Sequence, residues 1–309
     1  MKKNETDARV VSIAERARGL RLVSVKVSEG MRMGSFRSCF RGQGIEFDGV
    51  REYERGDDVR SIDRNVTARS GRPFVRMYRE ERELTVFLVV DDSRSMRAGS
   101  GDSPRRNTAL EAAALLAFAA ERNASPVGSV VFDSAPGKSF PPRAGRDRVL
   151  AILSDLEHRE SRAGGTALAG ALAGAARVLG SRALVIVISD FRSTGYETAL
   201  GILSRKHDVV ACRIVSPVDL SLPDVGYAAF KDPETGERES FPTASPAFRA
   251  RWEREGREAI HHWERACLRR GVAPFVLSTE DDAGVELARF FSARGERALW
   301  SPARDEVAR

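Results

Sequence analysis

The stretch VVDDSRSM, residues 89–96, ends an apolar run and then delivers two aspartates and two serines. Asp91, Ser93 and Ser95 follow a D-x-S-x-S spacing. In an extended turn that spacing sets the three on one side and Asp92 and Arg94 on the other. Two more segments carry the same chemistry. ALVIVISDF supplies Ser189 and Asp190 directly after an apolar run, and RAGGTALAGAL puts Thr166 behind two glycines at a helix start. Carboxylates and hydroxyls are hard oxygen ligands, suited to Mg²⁺, which wants near-octahedral oxygen at about 2.0–2.1 Å and keeps several waters. Mn²⁺ and Ca²⁺ share the oxygen preference and stand as alternatives, whereas the lack of soft ligands disfavours zinc and copper. A blander reading accounts for each residue singly: Thr166 as an N-cap, Ser93 and Ser95 as turn formers, Asp190 as a strand-end acceptor. Taken together at matching strand ends, they favour a metal site made of Asp91, Ser93, Ser95, Thr166 and Asp190.

Those residues need a scaffold that brings distant strand ends together. From Glu83 onward the chain alternates strand and helix signals. LTVFLVV is a continuous apolar run, expected of a strand covered on both faces. RRNTALEAAALLAFAAER follows as a helix with Asn107 or Thr108 as its cap; PVGSVVF is the next strand; GRDRVLAILSDLEH and TALAGALAGAARVLG are helices, the second closed by Gly180. ALVIVI, DVVACRIV and APFVLS are further strands, with helices at GYETALGILSRK, about 246–270 and AGVELARFFSAR. Such alternation predicts a doubly wound α/β fold with a mostly parallel sheet and helices on both faces. Ligands of such sheets bind outside the carboxyl ends of the strands, at a topological switch point. The alternating runs around Asp232-Pro233-Glu234-Thr235-Gly236 predict a β-hairpin insertion at about 226–242. The domain reading is a charged N-terminal region, 1–82, packed on a main domain, 83–300. Residues 1–33 read as a helix or arm with a short strand near LRLVSVKV, and 34–83 as short strands and turns.

Composition narrows the function classes. The chain has 309 residues, 42% hydrophobic and 30% charged, in the range of an ordinary globular protein able to bury a sizeable core. No apolar stretch is long enough to span a membrane, and the lysines of MKKNETDARVV have no apolar segment behind them, so a cytoplasmic location is expected. Cys39, Cys212 and Cys267 form no CxxC pair, which argues against a zinc site or a disulfide framework. His261 and His262 are adjacent, so they point to different faces of a helix and read as surface residues. The net charge of +6 comes mainly from arginines that alternate with acids, as in REYERGDDVRSIDR, rather than from a basic face with interleaved aromatics. Nucleic-acid binding is therefore not expected. The acids of 44–69 stand among Arg51, Arg55, Arg60, Arg64 and Arg69 at similar density. Carboxylates neutralised by arginine forks make a poor metal site, so this segment reads first as an ion-pair network holding the N-terminal region on the sheet domain and second as a partner-docking platform.

DDSRSM, GGTALAGAL and ISDF, in this order and spacing, resemble the von Willebrand factor A domain and its metal-ion-dependent adhesion site. GIEFDGVREYERGDDVRSIDRNVTAR (44–69), EERELTVFLVVDDSRSM (80–96), HDVVACRIVSPVDLSLPDVG (207–226) and DPETGE (232–237) resemble, more closely, the bacterial family called domain of unknown function 58. The resemblance spans roughly residues 30–295. It implies that Ser93, Ser95 and Thr166 bind the ion directly, and that Asp91 and Asp190 act directly or through water. It also implies that one coordination position is left for a partner's acidic side chain, and that there is no catalysis. Such proteins are typically associated with AAA+ ATPases of MoxR type, as adaptors in chaperone-like assembly or maturation of complexes. Two departures from the family pattern stand out. Arg64 replaces the usual Trp after SID, and Asp92 and Arg94 place extra charge beside the ion.

Three functions therefore compete. The first is a non-enzymatic, Mg²⁺-dependent protein-interaction adaptor. The second is a metal-dependent phosphohydrolase using Asp91 as nucleophile or Asp190 as base. Against it stand the missing DxD register at the strand end, the absence of a Walker-type loop (GQG at 42–44 is too short) and the lack of a histidine nearby. The third is a structural domain with an empty site.

Overall fold

The computed structural model describes residues 45–54, 56–80, 84–98, 104–159, 166–232 and 236–300. The expected N-terminal arm and strand near 20–27, Cys39, and the two glycines before Thr166 lie outside them. The chain divides into two compact units, one within Phe36–Glu83 and one holding the elements from Leu84 onward.

The smaller unit pairs β1 (Ile45–Glu52) with β2 (Phe74–Glu80) as an antiparallel ribbon, with a register shift between Phe47 and Gly49. Between them lies a helix that the sequence reading, with its short strands and turns, did not foresee: α1 (Arg64–Ser70). RNVTARS carries no apolar stripe to announce it. Its start is fixed by a cap instead. The Asp63 carboxylate accepts from the backbone N–H groups of Asn65 and Val66, at 2.9 and 3.1 Å, and Gly71 closes the helix in the left-handed region. Arginine–carboxylate pairs are present inside this unit, whereas the expected network was one holding it on the sheet domain. Arg51 grips Asp57 with two parallel bonds of 2.6 and 2.8 Å, Arg76 reaches Asp63 at 2.9 Å, and Arg72 reaches Glu52 at 3.0 Å.

The larger unit is built on a six-stranded sheet, in chain order β3 (Val86–Asp91), β4 (Val127–Phe132), β5 (Pro136–Arg143), β6 (Leu184–Ser189), β7 (Asp208–Val215) and β10 (Ala273–Ser278). Their spatial order is β10-β7-β6-β3-β4-β5. All neighbours are parallel except β5, which runs antiparallel to β4 at the edge. The fold is thus α/β, doubly wound and mostly parallel. The edge strand was not foreseen, because PGKSFPPR holds three prolines. Such a strand is tolerated only where one side needs no ladder bonds. β3, β4 and β6 are buried at every position, which is why they read as unbroken apolar runs.

Helices follow as α2 (Arg94–Arg97), α3 (Arg105–Arg122), α4 (Arg146–His158), α5 (Leu168–Val178), α6 (Glu197–Lys206), α7 (Pro246–Leu268) and α8 (Ala283–Trp300). One face of the sheet, through Phe87, Val89, Val185, Val187 and Val209, packs with Leu168 and Leu172 of α5, Leu200 of α6 and Trp263 of α7. α3 packs against the sheet with α4 and α8 beside it. It is buried on every side from Ala112 to Ala120, as an alanine-rich helix in a narrow layer must be. α3 begins at Arg105 behind Pro104, and neither Asn107 nor Thr108 caps it. α5 ends at Val178 with Leu179 rather than Gly180 at its cap. The predicted hairpin is β8 (Ala228–Lys231) with β9 (Arg238–Phe241). Among the described residues, no helix is long and apolar enough to cross a membrane.

Candidate metal centre

β3 neighbours β4 on one side and β6 on the other, so the winding reverses at β3. The crevice outside its carboxyl end is the switch point. Asp91 is the last residue of β3 and is 1% exposed; its Oδ1 accepts from the Ser93 N–H at 2.9 Å, and its Oδ2 accepts from the Ser189 hydroxyl at 2.6 Å. Ser93 and Ser95 are buried with their hydroxyls 3.0 Å apart. The backbone between them is not the extended turn expected from the spacing. Ser93 is the N-cap of the single helical turn α2, and Ser93 and Ser95 meet because that turn folds them together.

Asp190 follows β6 and is 3% exposed. Its Oδ1 accepts from the Arg192 N–H at 3.2 Å. Its Oδ2 is buried without a hydrogen-bond partner, with the Arg192 guanidinium 3.8 Å away. The next residue, Phe191, adopts φ 52°, a left-handed conformation uncommon for a bulky side chain. Two contacts hold it there. Its N–H donates to the Ser189 hydroxyl at 3.0 Å, and its ring packs 5.1 Å from Trp263 and 5.5 Å from Tyr196. That sharp turn fixes where Asp190 points.

Thr166 stands two residues before α5, so it is not the helix cap; that position is Ala167, which caps with no side chain. The Ala167 N–H donates to the carbonyl of Asp133 at 2.7 Å, and Asp133 follows β4 directly. Thr166 is therefore brought to the carboxyl end of the strand beside Asp91. Four predicted residues, Asp91, Ser93, Ser95 and Asp190, thus converge at one sheet edge, and backbone bonds draw the Thr166 loop to it.

Asp92 is not the extra charge beside the ion that its position suggested. It is 3% exposed and turned away; its carboxylate receives Arg106 Nε at 2.7 Å and Arg97 Nη2 at 3.1 Å. These arginines also donate to the carbonyls of Leu156 and Arg159, at 2.6 and 2.9 Å, tying the loop to the end of α4. Arg94 alone of the two is exposed. Sequence reasoning also passed over Ser189 as a holder of Asp91, although ISDF placed it beside Asp190. The partnership of Arg192 with Asp219 at 2.6 Å had no local signal.

Burial, and then the negative charge of Asp190, push the Asp91 carboxyl up to about 7. Two buried carboxylates, the charge of one raising the proton affinity of the other, are the chemistry a divalent cation relieves, and the Arg192 guanidinium stands 3.8 Å from Asp190. Among the described residues no three His, Cys, Asp or Glu side chains gather, so any ion here relies on hydroxyls and water as well. The oxygen-only donor set and the unpartnered Asp190 Oδ2 fit a hard cation.

The family model described as "Protein of unknown function DUF58" matches residues 49–262. "Uncharacterized protein Mb1516" of Mycobacterium bovis is 31% identical over 292 residues, covering 93% of this chain and 91% of its own. "Uncharacterized protein Rv1480" of Mycobacterium tuberculosis matches with the same identity and coverage. Among solved structures, an aerotolerance-related membrane protein from Bacteroides fragilis aligns at TM-score 0.46 and 19% identity, over 69% of this chain and 99% of that one. BatB from Bacteroides thetaiotaomicron aligns at TM-score 0.44 and 16% identity, over 71% of this chain and 100% of that one.

Proposed function

The chain belongs to the family described as protein of unknown function DUF58, and we propose that it is a non-enzymatic adaptor whose Mg²⁺ site docks a partner protein. The observation that carries this reading is the Asp190 Oδ2, buried without a hydrogen-bond partner beside a second buried carboxylate and two serine hydroxyls. Ser93, Ser95, Thr166, Asp91 and Asp190 would hold the ion, some of them through water. When bound, Mg²⁺ supplies a Lewis-acidic point able to accept one external carboxylate. The chain's own groups do the rest. Ser189 and the Ser93 N–H hold both oxygens of Asp91 in place, and the Phe191 turn aims Asp190.

The phosphohydrolase alternative is weaker on the same geometry. Asp91 is 1% exposed and both its oxygens accept hydrogen bonds, a poor arrangement for a nucleophile. The proposed partner is an AAA+ ATPase of MoxR type, working with this chain in chaperone-like assembly or maturation of complexes. That partnership rests on the family resemblance carried by the motifs around Asp91, Thr166 and Asp190, and the proposed cytoplasmic location on the hydropathy of the sequence. The test is binding kinetics of the ATPase on immobilised protein with Mg²⁺ present throughout. AAA+ ATPases need Mg²⁺ themselves, so variants of this chain, not chelation, decide the outcome. Ser93→Ala and Thr166→Ala should each weaken binding while the circular dichroism spectrum stays unchanged. Unchanged binding by both would place the interface elsewhere, and turnover of a phosphate ester lost in Asp91→Asn would favour the enzyme.

A further inference from the structure

Beside the metal centre, the β8–β9 hairpin, α7 and the loop after β6 enclose a cavity of about 950 Å³, at the upper end of the range of ligand pockets. One wall carries Arg105, Arg192 and Asp219. Both guanidiniums reach the same Asp219 oxygen, each at 2.6 Å. Burial pushes the Asp219 carboxyl up, but the hydrogen bond from Arg105 and the charges of Arg105 and Arg192 outweigh it and hold it below the usual carboxylate range. At Asp219 itself two guanidiniums share one carboxylate oxygen, and Arg192 also lies 3.8 Å from Asp190. Arg105 is 2% exposed, bonded to the Ser95 and Ala98 carbonyls and to Asp219, with its Nε–H buried without an acceptor, while the half-exposed Arg192 presents the donors that an incoming group meets first.

The opposite wall is the hairpin, where Lys231 and Arg238 stand against Asp232, Glu237 and Glu239 and leave an excess of negative charge. The floor is aromatic. Trp252 stacks on Phe230 at 6.0 Å and meets Phe241 edge-on at 5.5 Å, and its indole N–H is anchored on the Val218 carbonyl at 2.9 Å. Among the described residues β8 and β9 pair only with each other, so the hairpin keeps unpaired backbone groups that an extended chain can use. Val225 and Tyr227, 60% and 75% exposed, lead into it.

We propose that this cavity is a peptide-binding site for a partner segment in which an acidic side chain sits on Arg105 and Arg192 and a neighbouring aromatic side chain rests on Trp252. A small inorganic anion would satisfy the guanidiniums but leave the aromatic floor and the hairpin edge unused. That the ligand is a protein segment rests on the adaptor reading; the pocket itself does not depend on Mg²⁺. Arg192 also stands 3.8 Å from Asp190, so the two sites are neighbours on one loop.

The test uses the full chain labelled at tryptophan nitrogen, in the presence of chelator, titrated with the capped peptide acetyl-Gly-Phe-Glu-Gly-amide and its Gln and Ala-for-Phe counterparts. The Trp252 indole resonance, assigned by Trp252→Phe, should shift saturably with the Glu peptide. The Gln and Ala peptides should bind at least tenfold more weakly. Arg192→Ala, at a half-exposed side chain, should cost a similar factor with the fold intact. Equal binding of the Glu and Gln peptides, or no movement of the Trp252 resonance at millimolar peptide, would overturn the proposal. Repeating the titration with Mg²⁺ separates the two readings, since failure of the metal site leaves the peptide response standing and the reverse also holds.

Discussion

At Asp91, burial and the charge of Asp190 act in the same direction, and the consequence is a reversed pH dependence. An ordinary paired carboxylate stabilises a protein as pH rises. Asp91, with its carboxyl raised to about 7, binds its proton more tightly folded than unfolded, so its ionisation destabilises the metal-free protein between about pH 4 and pH 7. The size is at most about 4 kcal/mol, at 1.36 kcal/mol per unit. Asp91→Asn removes the titration while its amide can still serve Ser93 and Ser189. In chelator, the variant should therefore gain stability over the wild type as pH rises from 4.5 to 7.5, read from urea midpoints; a difference that does not vary with pH would contradict the account. Asp92, next in sequence, has a different job. Removing its carboxylate in Asp92→Ala strands Arg106, whose side chain is 14% exposed, and should cost about 3 kcal/mol or more in the same assay. A cost under 1 kcal/mol would mean the pair is ornamental. Asp91 and Asp92 look alike in the sequence. Only the arginines arriving from α2 and α3 tell them apart.

The elements divide by how their signals are written. β3, β4 and β6 were legible because burial on both faces demands unbroken apolar runs, and the strand ends then located the two carboxylates. β5 was hidden by its prolines, α1 by the lack of an apolar stripe, and the start of α3 by having no side-chain cap: it begins behind Pro104, with Arg105 tied to Asp219, 114 residues away. Gly256 belongs to this hidden class. A glycine inside α7 costs the helix roughly 1 kcal/mol relative to alanine. Its reason is contact, since a Cβ there would lie 2.3 Å from the Asp219 carbonyl oxygen, the turn that carries the Arg105 and Arg192 partner. Gly256→Ala should therefore destabilise by about 1–3 kcal/mol despite its better helix propensity. A thermal midpoint equal to or above that of the wild type would show that helix and turn can separate without cost.

Over the whole molecule, the fold class and the meeting of Asp91, Ser93, Ser95 and Asp190 follow from local patterns plus one topological rule. The hairpin cavity does not, because its walls come from five separate parts of the chain. The central claim is that the converging oxygens form an ion site, and the most direct measurement is thermal unfolding of the wild type and Asp91→Asn with and without Mg²⁺. Ligand at 100 times its dissociation constant adds about 2.7 kcal/mol. For a domain of this size that corresponds to a rise of roughly 5–10 °C. An ion site at Asp91 requires that rise in the wild type and none in Asp91→Asn; an equal Mg²⁺ response in both proteins, or none in the wild type, would rule the site out.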